Sequence, residues 1–206
     1  SPMDYRQLGR TNLKVSAIAL GTMTWGEQNT QDEAFAQIEY AKYAGINFID
    51  TAEMYPVPPK AETYASTERY IGNWFKTRGD RADWILASKI AGPGNGIDYI
   101  RDGQLKHNRT HIVQALDASL KRLQTDWIDL YQLHWPERST NFFGQLGYKH
   151  NADEDFTPLE DTLEALDEQV KAGKIRHIGL SNETPWATMK FLQLAESRGW
   201  PRAVSI

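Results

Sequence analysis

Leu20-Gly21-Thr22-Met23-Thr24-Trp25-Gly26 ends the first buried apolar run of the chain and separates two parallel-sheet architectures. A doubly wound dinucleotide-binding sheet carries a Gly-x-Gly-x-x-Gly turn after its first strand, where backbone N–H groups cradle a pyrophosphate. Two glycines with four residues between them do not make that turn. A (β/α)8 barrel needs no such turn and builds its site on the loops that follow its strands.

Six nearly continuous apolar runs punctuate the chain: Val15–Thr22, Ile46–Thr51, Trp84–Ile90, Ile128–Trp135, Ile175–Asn182 and Ala203–Ile206. Such runs read as strands buried on both faces. Helical stripes lie between them, for example Ile112, Leu116, Leu120, Leu123 and Leu159, Leu163, Leu166, Val170. Thr157-Pro158-Leu159-Glu160 reads as a capping box with proline at the first helical position. Gly45, Gly173 and Gly199 stand where helices stop. Gly9-Arg10-Thr11-Asn12 reads as a tight turn joining a short N-terminal strand to the first buried run.

Strand and helix alternating in this way define a parallel sheet with helical crossovers. Helix-to-strand connections are short, as at Ala44-Gly45 and Gly173-Lys174. Three strand-to-helix connections are long: Ala52–Ala65, Ala91–Asn108 and Pro136–Phe156. In a parallel sheet they all emerge at the carboxyl ends of the strands, where a barrel carries its active site. The expectation is a single barrel domain over residues 1–206, with six of eight strand–helix units present. A closed barrel needs eight strands and about 250 residues. The functional protein is therefore expected to continue past Ile206 by two more units.

The 206 residues include 23 Lys plus Arg and 27 Asp plus Glu, a net charge of −4, with 40% hydrophobic and 24% charged residues. This is the balance of a folded globular protein. No basic face is concentrated enough for nucleic acid, and no apolar run reaches the length of about 18 residues that a membrane helix needs. With no cysteine, thiolate chemistry is excluded, and a reducing compartment, the cytoplasm, is the expected location. His107 and His111 are spaced to share a helix face, but no third ligand is near, so no metal site is expected.

Several polar residues fall at the carboxyl ends of the apolar runs: Asp50 with Tyr55 five residues on, Ser88-Lys89, His134-Trp135 and Ser181-Asn182. Each alone has an ordinary structural explanation, as a cap, a solvent-reaching lysine or a core histidine. Together at one rim they need partners or a wet cleft, because unpaired buried charge is costly. The set suits proton transfer to an oxygen. A free tyrosine, with a pKa near 10, is a poor acid at neutral pH, and a neighbouring ammonium favours its phenolate. A carboxylate would hold that lysine charged, and an imidazole would orient a carbonyl oxygen beside the phenol.

At these residues the chain resembles the aldo-keto reductase superfamily, and within it the Tas-like branch. The resemblance rests on Gly21–Gly26, Asn47-Phe48-Ile49-Asp50-Thr51-Ala52-Glu53-Met54-Tyr55, Ala87-Ser88-Lys89, Asp129–Pro136 and Gly173–Asn182 in that order. It implies a (β/α)8 barrel, reduction of a small-molecule carbonyl, and a nicotinamide cofactor, usually NADPH, with NADH not excluded. By the same resemblance Tyr55 is the general acid, Lys89 lowers its pKa, Asp50 pairs with Lys89 and His134 orients the carbonyl. Ser181 and Asn182 hold the nicotinamide carboxamide, with Gly21, Thr22 and Met23 beside the ring. Trp25 and Trp135 form apolar walls for the substrate. Two rival functions use the same barrel. A Schiff-base aldolase would employ Lys89 as nucleophile. A cofactor-binding regulatory protein would act through a protein partner. The first leaves Tyr55 and Asp50 without a task, and the second leaves the complete tetrad unexplained.

Overall fold

The computed structural model describes residues 3–9, 11–92, 97, 99–103, 105–134, 157–180, 185–199 and 203–205. The chain opens with an antiparallel hairpin of β1 (Tyr5–Gln7) and β2 (Lys14–Ser16), in which Arg6 faces Val15. A six-stranded sheet follows: β3 (Leu20–Gly21), β4 (Phe48–Asp50), β5 (Ile85–Ile90), β6 (Ile128–Leu133), β7 (Ile175–Leu180) and β8 (Ala203–Ser205). Every neighbouring pair is parallel, and the spatial order equals the chain order. A doubly wound sheet reverses its strand order at a switch point. This sheet does not, which is the topology of a (β/α)8 barrel.

Helices α1 (Gln31–Tyr43), α2 (Ser66–Arg78), α3 (Arg109–Leu123), α4 (Leu159–Lys171) and α5 (Pro185–Arg198) supply the crossovers. Strand residues of one parity, among them Ile49, Leu86, Ile90, Tyr131, Leu133 and Ile178, pack on Ile38, Ile71, Ile112, Leu116 and Leu163 of the helices. The other parity faces inward, where Phe48, Ala87 and Leu130 meet Leu8 and Val15 at the hairpin end. Both faces of the strands are thus covered, which explains why they read as continuous apolar runs rather than alternating ones.

Two expectations are corrected. The first apolar run is not one strand. Val15 belongs to the hairpin, and the parallel sheet begins only at Leu20, because the chain bends at residues 17–19 to enter it. The box expected at Thr157 is also absent. Pro158 is the N-cap of α4, extended at ψ 139°, with no side-chain capping bond. A true capping box sits at α1, where Thr30 Oγ1 accepts from Glu33 N at 3.2 Å and the Glu33 carboxylate accepts from Thr30 N at 3.0 Å. Those bonds hold the Glu33 carboxyl below the usual carboxylate range.

Polar groups are also buried away from the sheet's carboxyl end. Arg81 pairs with Asp129 at 2.9 Å and lies 4.1 Å from the centroid of Trp127. Between helices, the carboxylate of Glu68 accepts from Ser88 Oγ at 2.8 Å and from Arg122 Nε at 2.9 Å. Here α2 and α3 touch backbone to backbone: a Cβ on Gly72 would lie 2.0 Å from the Arg122 carbonyl oxygen. Among the described residues no helix is long and apolar enough to cross a membrane.

Candidate active site

Parallel pairing sets the site. Asp50 is the last residue of β4 and lies in register with Gly21 and Ala87; Lys89, two residues beyond Ala87, lies in register with Gln132. His134 follows β6 directly, and its backbone N–H donates to Ile90 at 3.0 Å. Tyr55 is carried by the loop after β4, where its N–H closes a turn onto the Ala52 carbonyl at 3.2 Å.

The four side chains converge. Lys89 Nζ donates to Asp50 Oδ1 and to the Thr51 carbonyl, both at 2.8 Å. Its side chain is 7% exposed and that of Asp50 is 37% exposed. Lys89 Nζ lies 5.2 Å from the centroid of the Tyr55 ring, and the His134 ring meets the same ring edge-on at 5.8 Å and 84°.

Burial pushes the Tyr55 phenol up to about 12, and the Asp50 carboxylate adds to the rise. Burial pushes the His134 imidazole down to about 4, with the Lys89 ammonium contributing. At neutral pH the site therefore presents a protonated phenol beside a neutral imidazole. The lowering of the Tyr55 pKa by Lys89 expected from sequence is not what this geometry gives. The ammonium is committed to Asp50 and Thr51 and stands over the ring, so the phenol's loss of solvent dominates.

The rim beside these groups is open. Gly21 and Met23 are exposed, and nothing lies within 4 Å of where a Gly21 Cβ would be. A flat ring can lie on such a surface next to Asp50, so the residues fit a nicotinamide. Thr22 serves differently: it is buried and its hydroxyl donates to the Asp50 carbonyl at 2.8 Å, fixing the end of β4. Val57 N donates to the Met23 carbonyl at 2.7 Å, tying the two rim loops together.

Trp25 departs from its expected role as a substrate wall. Its ring is fully buried in the sheet–helix core with Ala34 and Ile38, and its indole N–H donates to Gln37 Oε1 at 2.8 Å. A flexible loop tryptophan and a core tryptophan look alike in sequence; the α1 partner distinguishes them. Trp135, Ser181 and Asn182 lie outside the described residues. Asn108, the N-cap of α3, accepts from His111 N at 2.9 Å, and the His107 carbonyl accepts from Thr162 Oγ1 at 2.8 Å. Both neighbourhoods thus take part in helix packing.

Two acids with no exposed surface, Glu53 and Glu68, carry no signal in the sequence. Glu68 joins α2 to β5 and α3, as described above. Glu53 is fully buried and its carboxylate takes both ends of the Arg101 guanidinium, at 2.8 and 2.9 Å. The partners are 48 residues apart, and no local pattern signals the pairing.

A barrel-type parallel sheet with an acid, a lysine, a tyrosine and a histidine converging at its carboxyl rim defines a class of barrel with polar chemistry at its mouth. The family model for the aldo/keto reductase family matches residues 17–205, and the chain belongs to that family. It is 51% identical over 205 residues to "Protein tas" of Escherichia coli, covering 99% of this chain and 59% of that protein. It is 37% identical over 201 residues to "Uncharacterized oxidoreductase YrpG" of Bacillus subtilis, 95% of this chain and 54% of that protein. Over 206 residues it is 29% identical to "Norsolorinic acid reductase B" of Aspergillus parasiticus, covering 95% and 47% of the two chains. The chain thus spans about half the length of the curated relatives it matches.

Proposed function

We propose that this chain carries the catalytic rim of a nicotinamide-dependent oxidoreductase that reduces a small-molecule aldehyde or ketone to an alcohol. The observation that carries the reading is a protonated Tyr55 phenol held between the Lys89–Asp50 pair and a neutral His134. A bound nicotinamide supplies the hydride for the carbonyl carbon. Gly21 and Met23 offer the open surface for that ring, and Ser181 and Asn182, just past β7, are the candidates to hold its carboxamide. NADPH is the favoured dinucleotide, by family resemblance.

The chain's own groups manage the oxygen. Tyr55 donates its hydroxyl proton to the carbonyl oxygen as negative charge develops there, a role typically worth about 10² to 10⁴ in rate. Lys89 stabilises the phenolate left behind, and Asp50 holds the Lys89 ammonium in place. The neutral His134 donates a ring N–H to the same oxygen and so orients it. The apolar cluster of Ala52, Met54, Ile97 and Ile100 beside Tyr55 keeps water from competing for that proton. The cysteine-free composition supports work in the cytoplasm.

Consumption of NADPH and of NADH by the full-length protein against a panel of aldehydes, ketones and quinones tests the reading. Turnover of at least one carbonyl, lost on Tyr55→Phe, is expected. No consumption of either dinucleotide, or a borohydride-trapped adduct on Lys89, would overturn it.

A further inference from the structure

We infer that Glu53, acting with Arg101, is a positioning residue for the Lys89–Tyr55 pair; the inference rests on the proposed reading of Tyr55 as the acid. Glu53 brackets Lys89 along the backbone. Its N–H donates to the Lys89 carbonyl at 3.1 Å, and its Oε1 accepts from the N–H of Ala91 at 3.0 Å, two residues beyond. Tyr55 lies two residues downstream of Glu53 on the same loop. One residue therefore fixes the separation of the loop that carries the acid from the strand end that carries the cation.

Arg101 locks Glu53 in turn. Its Nη1 and Nη2 donate to Glu53 Oε2 and Oε1, and Nη2 also reaches the Ala91 carbonyl at 3.4 Å. Arg101 and Asp102 both adopt left-handed conformations, at φ 45° and 56°. Non-glycine residues avoid that region, and such strain persists only where surrounding contacts over-determine it. The bidentate pair is that contact. Tyr64 and Tyr99, edge-on to each other at 5.7 Å, flank the pair together with Tyr55 in one cluster. A buried ion pair is not an efficient stabiliser, since apolar residues of similar volume often do as well. What it supplies is a fixed geometry, here between the acid and the cation that stabilises the phenolate it leaves.

A simple loop staple and a positioning device predict different kinetics. The staple lowers the folded fraction and leaves each folded site unaltered. The positioning device alters each site. The test uses the full-length protein with 4-nitrobenzaldehyde as probe, counting competent sites by NADPH binding. Glu53→Gln is expected to lower kcat per competent site about 10- to 100-fold, a part of what general acid catalysis supplies. KM and the NADPH Kd should move less than about threefold, and the alkaline limb of the kcat profile should shift upward as the ammonium loosens. The double variant Glu53→Gln/Arg101→Met removes the pair without stranding a buried guanidinium and should show the same loss. Wild-type kcat and an unmoved limb in that variant would overturn the inference. If it fails to bind NADPH, Arg101→Lys decides: an intermediate kcat with an intermediate shift supports positioning, and an unmoved limb overturns it. Tyr55→Phe runs beside these variants. If it retains turnover, the acid assignment itself falls. If it is inactive while the double variant is wild-type, only the positioning role falls.

Discussion

Two of the carboxylate–cation pairs among the described residues are of nearly equal length and are used in opposite ways. Arg81 and Asp129, at 2.9 Å, are spent on structure. Asp129 also accepts from Leu86 N and from the Trp127 indole, while Arg81 also donates to the Trp84 and Trp127 carbonyls and to Thr125 Oγ1. Lys89 and Asp50, at 2.8 Å, are only partly spent. Asp50 is open to solvent on one side, and the Tyr55 phenol beside them keeps its proton to give. Saturated valence makes a girder; valence left over makes a reactive site. The reserve lies at the carboxyl rim, where a barrel keeps its chemistry.

The sharpest way to break this contrast is Tyr55→Phe. It should lower carbonyl turnover by about 10² to 10⁴-fold, leave NADPH affinity within about twofold, and scarcely change the urea midpoint. A stability loss without a rate loss would place Tyr55 with the girder. Next in size is Asp129→Ala, which strands the buried Arg81 charge and should cost about 3–5 kcal/mol in urea unfolding. Turnover per folded site should stay within about twofold of wild type.

A smaller effect is expected in acid. His134 titrates near 4 when folded and near 6.5 when unfolded, so the unfolded chain binds more protons between those values. Stability should fall as pH drops from about 6.5 to about 4 and level off, for this group, below that. Burial also lowers the pKa of His177, which adds slope in the same direction. His134→Gln should therefore flatten the acid limb of thermal unfolding without removing it. Arg78→Ala should matter least. Its ion pair with Glu39 at 2.9 Å is exposed, and its guanidinium stands 4.5 Å over Trp74, together worth less than about 1 kcal/mol by denaturant titration.

Strand order and the rim were legible because parallel pairing converts sequence position into height. Once Asp50, Lys89 and His134 end their runs, hydrogen-bonded registers bring them together whatever the intervening loops do. Trp25 was not legible in the same way. It follows β3 just as Asp50 ends β4, but its direction depends on Gln37, a residue of the next helix. The Thr157-Pro158 pattern resembles a capping box but makes none, because proline at the cap offers no side-chain acceptor to the next turn, whereas Thr30 and Glu33 form one. The phenol's acidity does not follow from neighbouring charges alone. Loss of water around Tyr55 is the largest cause of its raised pKa, and that burial comes from loop packing that no local residue pattern announces.

Gly72 turns the α2–α3 contact into a gauge. The helices are spaced by bare backbone, so one added methyl must wedge them apart. The same two helices hold the jaws of the Glu68–Arg122 grip, and Glu68 also holds Ser88, the neighbour of Lys89 along β5. Glu68 thus ties a helical seam whose closeness Gly72 permits to the strand residue next to the cation.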